Sequence, residues 1–199
     1  MEAEKEVTIG IDLAALEKNP TGWAVWENRR ISACHLYSDE KVLDLTVRCK
    51  PDIIAIDAPL TMPKTGITRQ GDREMLNQGF PVFPPLMRSM KRLTERAASL
   101  TRRLRKRGFT TIEVHPASTR KALGMPTKEW RKIQAFMKQL GLKGDVETRT
   151  LTPHEIDAIT ASLTAYLHLE RKTREIGDRK EGYIVIPQRN DWRAKIERQ

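Results

Sequence analysis

The chain has 199 residues, 39% of them hydrophobic and 31% charged, with a formal net charge of +10 at pH 7 and a pI of about 9.8. That composition excludes a disordered chain, and no apolar run is long enough to span a membrane, so one domain with a real core is expected over 1–199. The cationic surplus favours an anionic partner, nucleic acid first, through long-range attraction and counterion release.

In chain order, Glu6–Asp12 (EVTIGID) reads as a short strand that ends in an acid. Gly22–Glu27 and Ile31–Tyr37 follow across short polar links, as in an antiparallel meander. Ser38-Asp39 can cap a helix running to about Cys49, and Pro51 ends it. Asp52–Asp57 (DIIAID) is almost continuously apolar before its final acid, which suits a strand buried on both faces in parallel pairing. The helix before it supplies the crossover. From Ala58 to about Pro85 prolines and glycines predict a long loop. Leu86, Met90, Leu93, Ala97, Leu100 and Leu104 then mark one face of a helix that Gly108 closes, making an insertion over about 58–108.

Phe109–His115 reads as a fifth strand, followed by helices around Ser118–Leu123 and Lys128–Leu140. Thr152-Pro153-His154-Glu155 starts a helix running to about Arg171, with Thr152 as cap, Pro153 at the first position and Glu155 at the third. A short strand, YIVI, precedes Pro187. The basic tail, about 188–199, is expected to be loosely held. Cys34 and Cys49 lack CxxC spacing, and Met1–Glu6 lacks a leader's apolar core, so a cytoplasmic protein is expected.

Asp12 and Asp57 carry the chemistry. Each ends an apolar strand, where aspartate is a poor strand former. If these strands are parallel neighbours, both acids lie at their carboxyl ends, the edge where open α/β sheets bind ligands. Carboxylates one strand spacing apart, about 4.8 Å, repel each other unless a cation lies between them. Glu113 faces opposite to Ile112 and Val114, toward solvent or into the acidic cluster. His154 and Asp157, three apart, share a helix face, and Asp157 is the odd acid in a run of apolar and small residues. Hard oxygen ligands select Mg²⁺ or Mn²⁺. Several carboxylates in a basic protein suit two-metal phosphodiester hydrolysis, in which His154 could orient water or protonate the leaving group. The P-loop, GxSxG and HExxH patterns are absent from the sequence.

Six blocks, GIDLA (10–14), TGWAV (21–25), IDAPL (56–60), EVHPA (113–117), HEIDAITAS (154–162) and EGYIVIP (181–187), resemble the DUF 429 family of predicted nucleases in the RNase H-like superfamily. The resemblance implies an α/β fold with a mixed five-stranded sheet in the order 3-2-1-4-5, strand 2 antiparallel, flanked by helices with a helical insertion after strand 4. It also implies metal-binding acids at Asp12, Asp57 and Asp157, with Glu113 a further candidate, and a catalytic set that includes His154. The His-x-x-Asp-Ala segment is similar to the C-terminal helix of the Holliday-junction resolvase branch. The block TRQGDREML (68–76) adds Arg69, Asp72 and Arg73 as site candidates, the two arginines as nucleic-acid contacts. Arg88, Lys91, Arg92, Arg102, Arg103 and Lys106 line the polar face of the insertion helix as phosphate contacts. The expected function is a divalent-metal-dependent nuclease acting on DNA or RNA. The alternatives are a nucleic-acid-binding module without catalysis and an actin-like ATPase or small-molecule kinase.

Overall fold

The computed structural model describes residues 6–188. The elements in order are β1 (Val7–Asp12), β2 (Thr21–Glu27), β3 (Arg30–Leu36), α1 (Asp39–Cys49), β4 (Ile53–Asp57), α2 (Gln70–Asn77), α3 (Lys91–Arg105), β5 (Thr111–Val114), α4 (Pro116–Ala122), α5 (Trp130–Gln139), β6 (Lys143–Gly144), α6 (Asp145–Thr148), α7 (Pro153–Leu169), β7 (Thr173–Asp178) and β8 (Gly182–Pro187). They build one mixed sheet in the order β6-β3-β2-β1-β4-β5-β8-β7. The expected order 3-2-1-4-5 is its centre, with β2 antiparallel to both neighbours and β1, β4 and β5 parallel. The sheet is wider than five strands, because β8 pairs parallel to β5 and carries β7 as a hairpin, while the two-residue β6 lies beside β3. Pairing with β8 covers what would otherwise be a raw edge on a fully buried strand.

Alternation sorts the strand side chains between two layers. Ile9, Ile11, Ile54 and Ile56 pack with Ala97, Leu100 and Leu104 of α3 on one face. Ile53, Ala55, Ile112 and Val114 pack with Ala161 and Ala165 of α7 on the other. Trp23 and Trp26 are buried, whereas Trp130 is exposed. The basic tail beyond residue 188, with Trp192, lies outside the described residues.

Three boundaries differ from expectation. Within the expected loop, Gln70–Asn77 forms α2, anchored by buried Met75 and begun where the Asp72 carboxylate accepts the Arg69 N–H at 2.7 Å. The insertion helix starts at Lys91, so Arg88 sits in the preceding turns. The helix that Thr152 caps ends at Leu169.

α7 lies unusually close to the sheet, and glycine is the reason. A Cβ on Gly10 would stand 1.9 Å from the Ala158 carbonyl oxygen, and one on Gly22 would stand 2.1 Å from that of His154. We therefore expect Gly10→Ala to destabilise the fold by about 1–3 kcal/mol or more, the cost of overpacking. A urea midpoint equal to wild type would show that α7 can lift away freely.

Candidate active site

β1 and β4 run parallel in a register that places Asp12 directly beside Asp57. By parity with Gly10 and Ala55, both carboxylates stand on the α7 face of the sheet. The local start of α7 brings its residues over that edge. Thr152 accepts the Glu155 N–H, the Glu155 carboxylate accepts the Thr152 N–H at 2.9 Å, and Pro153 occupies the first turn. His154 thus lies above Gly22, the register partner of Asp12, and donates from Nδ1 to Asp12 Oδ2 at 2.6 Å. Asp157, on the following turn, accepts a short hydrogen bond from Arg120 Nη1. The Arg120 guanidinium comes from α4, which directly follows β5, and also donates to Thr160 Oγ1 at 3.3 Å.

The electrostatics follow from this crowding. Burial, then the charges of Asp12 and Asp157, push the Asp57 carboxyl well above the ordinary aspartate value of 3.8. Burial also raises Asp12, with Asp157 adding and the His154 hydrogen bond opposing. His154 is raised above 6.5, chiefly by its hydrogen bond to Asp12. In the metal-free protein this contribution to stability is complete below about 6.5 and is lost as pH rises through the higher folded value. Asp12→Asn should bring the His154 value down in an NMR titration, and an unchanged midpoint would exclude Asp12 as the cause.

Glu113 lines the same cleft as Asp12 and Asp57 but stands on the other face of the sheet. Its register partner is Ile56, so the pleat turns it to the face opposite Asp57. There it accepts two hydrogen bonds from Arg69, at 2.7 and 2.5 Å, and one from the Leu60 N–H at 2.8 Å. Arg69 also binds Asp72 at 2.7 Å and is 2% exposed, a buried cross-brace that, with Asp72 and Glu113, lines the same cleft as Asp12 and Asp57. Arg73 is exposed but folds back onto the Thr68 carbonyl at 2.9 Å.

The basic stripe is only partly at the site. Arg88, Lys91, Arg92, Arg102 and Lys106 are exposed, and Arg103 is partly covered and binds Glu40 at 3.1 Å. Met90 and Leu93, next to Lys91 and Arg92, line the same cleft as Asp12 and Asp57. Lys106 follows Lys91 by roughly 20 Å along the helix axis, at a rise of about 1.5 Å per residue.

Two residues of the site escaped sequence reasoning. His115 lines the cleft, with Nδ1 2.7 Å from Ser118 Oγ, and burial, followed by the Arg120 charge, holds it down at about 4, so it is neutral. Its signal was its place inside the EVHPA block. Arg120 is one of 36 Lys and Arg residues and had no signal in the sequence.

The donor set suits a hard divalent cation at the Asp12–Asp57 pair, where burial of two adjacent carboxylates calls for positive charge. Among the described residues, however, no three His, Cys, Asp or Glu side chains converge into a cage. Asp157 is turned to Arg120 instead.

A family model described as "Protein of unknown function (DUF429)" matches residues 10–181. No curated protein matches the chain. Among solved structures, Thermus thermophilus RuvC in complex with a Holliday junction substrate is similar, with a TM-score of 0.54 and 14% identity over 83% of this chain and 96% of that one. A second Thermus thermophilus RuvC structure gives a TM-score of 0.51 at the same identity and coverage. At 14% identity the likeness is one of fold, and that fold is the RNase H-like mixed α/β sheet.

Proposed function

Because the chain belongs to the DUF429 family and shares the RNase H-like fold, we propose that it is a divalent-metal-dependent nuclease that hydrolyses phosphodiester bonds of DNA or RNA. The observation that carries this reading is the in-register pair Asp12–Asp57 at the carboxyl edge of the sheet, with His154 and Asp157 of α7 set over it. Mg²⁺ or Mn²⁺ bound at that pair would supply Lewis-acid activation of water and neutralise phosphate charge.

The chain's own residues do the rest. Asp12 and Asp57 would hold the cation, and the Asp12 carboxylate fixes the His154 ring through Nδ1, leaving Nε2 to exchange a proton with water or the leaving oxygen. Glu113, braced by Arg69, holds the Leu60 backbone N–H at the wall of the same cleft. Exposed Arg88, Lys91 and Arg92 neutralise phosphates next to the cleft, and Arg102 and Lys106 extend that track. RuvC was solved with a Holliday junction substrate, which supports a nucleic-acid partner for this fold. No described helix is long and apolar enough to cross a membrane, and free Cys34 and Cys49 suit a reducing cytoplasm.

The test is incubation of the purified chain with labelled DNA and RNA panels in Mn²⁺ or EDTA, alongside Asp12→Asn. Cleavage that needs Mn²⁺ and Asp12 is expected. Cleavage that survives both EDTA and the substitution would sink the reading. The engagement of Asp157 by Arg120 favours a second reading, a nucleic-acid-binding module without catalysis. It requires salt-dependent binding indifferent to Mg²⁺ and to Asp57→Asn. The actin-like reading needs two lobes, whereas the described residues form one sheet.

A further inference from the structure

We propose that this site takes one divalent metal rather than two, and that the Arg120 guanidinium stands where a second metal would otherwise compensate Asp157. The inference rests on the nuclease reading and narrows its chemistry.

Burying Arg120 carries a cost. Its side chain is 7% exposed, and burying a cation is tolerated only with a partner. Asp157 is that partner, through a short charge-assisted contact, and Thr160 Oγ1 is a weaker second one. Arg120 Nε nevertheless has no hydrogen-bond partner although it is shielded from solvent. A buried donor left unmade costs about 1–3 kcal/mol. Packing alone does not account for an arginine here, since a shorter apolar residue on α4 would avoid that cost. The positive charge at the acidic edge does.

Charge balance points the same way. Asp12, Asp57 and Asp157 form the acidic edge, and their mutual repulsion appears in the effect of Asp12 and Asp157 on Asp57. With the His154 ring neutral, three carboxylates, one guanidinium and one divalent cation sum to zero. A second divalent cation would leave an excess of two positive charges in a half-enclosed cleft before substrate arrives. Geometry agrees, because among the described residues no three acids or histidines converge, while Asp12 and Asp57 are strand neighbours in register. Mg²⁺ commonly binds through one or two carboxylates, keeping waters for its other positions, so that pair is sufficient. Arg120 is therefore a positioning and charge-compensating residue: it holds Asp157 and denies it to a second ion.

The experiment is a Mn²⁺ titration of the full chain followed by the EPR signal of free Mn²⁺, which reads stoichiometry without turnover. Wild type should bind one Mn²⁺ per chain, and Asp57→Asn none. Asp157→Asn should keep that single site with a Kd within about threefold of wild type, since Asp157 is not its ligand. Arg120→Gln, with Asp157 released, should bind two, and Arg120→Lys should return to one. Two ions in wild type overturn the one-metal inference but leave the nuclease reading standing. Loss of the site in Asp157→Asn overturns it too, even if Arg120→Gln does not fold. A single site in folded Arg120→Gln overturns the role given to Arg120. No Mn²⁺ bound by either wild type or Arg120→Gln overturns the metal-dependent reading itself, and the inference with it.

Discussion

Asp57→Asn should make the metal-free protein more stable while removing cleavage. The two effects have one cause. Burial and the neighbouring Asp12 and Asp157 raise the Asp57 carboxyl far above 3.8, so the folded state holds its proton more tightly than the unfolded state. Stability from this group is therefore complete below the unfolded value and is lost as pH rises through the folded one. At neutral pH the wild-type protein carries that penalty and the amide does not. The melting temperature of metal-free Asp57→Asn should exceed wild type at pH 7, and the difference should shrink as pH falls toward 4. Added Mn²⁺ should reverse the order, because a ligand at a hundred times its Kd stabilises by about 2.7 kcal/mol and only wild type retains the site. Cleavage should fall by about 100- to 1000-fold or more, the scale of losing one preorganised electrostatic contact to the transition state. A variant less stable than wild type without metal at pH 7 would contradict this account of the acidic edge.

Arg69→Met should have the largest effect on stability. Arg69 joins Glu113 on β5 to Asp72 on α2, with all three side chains buried. Removing the guanidinium leaves two carboxyl groups without their cation, and breaking a buried pair in this way costs about 3–5 kcal/mol. Burial already raises Glu113 above 4.5 with Arg69 in place, and the loss should raise it further. Part of the stability should then return in acid, as Glu113 takes up its proton. Urea denaturation at pH 7 and pH 5 measures both effects. A loss below 1 kcal/mol on the scale of surface pairs would show that Arg69 is not a brace.

This brace also fixes where Glu113 lies relative to the aspartates. The strand period correctly set Glu113 opposite to Ile112 and Val114. It could not say which face α7 would cover. Once α7 takes the face of Gly10, Asp12 and Asp57, Glu113 must point to the other layer, where only a buried arginine makes a carboxylate tolerable. Arg69 was expected at the nucleic acid for a similar reason. Its charge is visible in the chain, but a separation of 44 positions from Glu113 hides the pairing.

Local pattern was enough for the elements that position the site. The apolar runs ending at Asp12 and Asp57, the Thr152-Pro153-Glu155 start of α7 and the Ala-rich stripe behind Asp157 are short-range signals, and each is realised as expected. The central order 3-2-1-4-5 came from family likeness. Only the tertiary structure decided which charges meet. Arg120 reaches Asp157 across 37 residues and His154 reaches Asp12 across 142, distances over which no periodicity carries information. Propensity and alternation are properties of neighbours along the chain. Charge compensation in a buried cleft is a property of neighbours in space, and here it sets Asp12 beside Asp57 and turns Asp157 to Arg120.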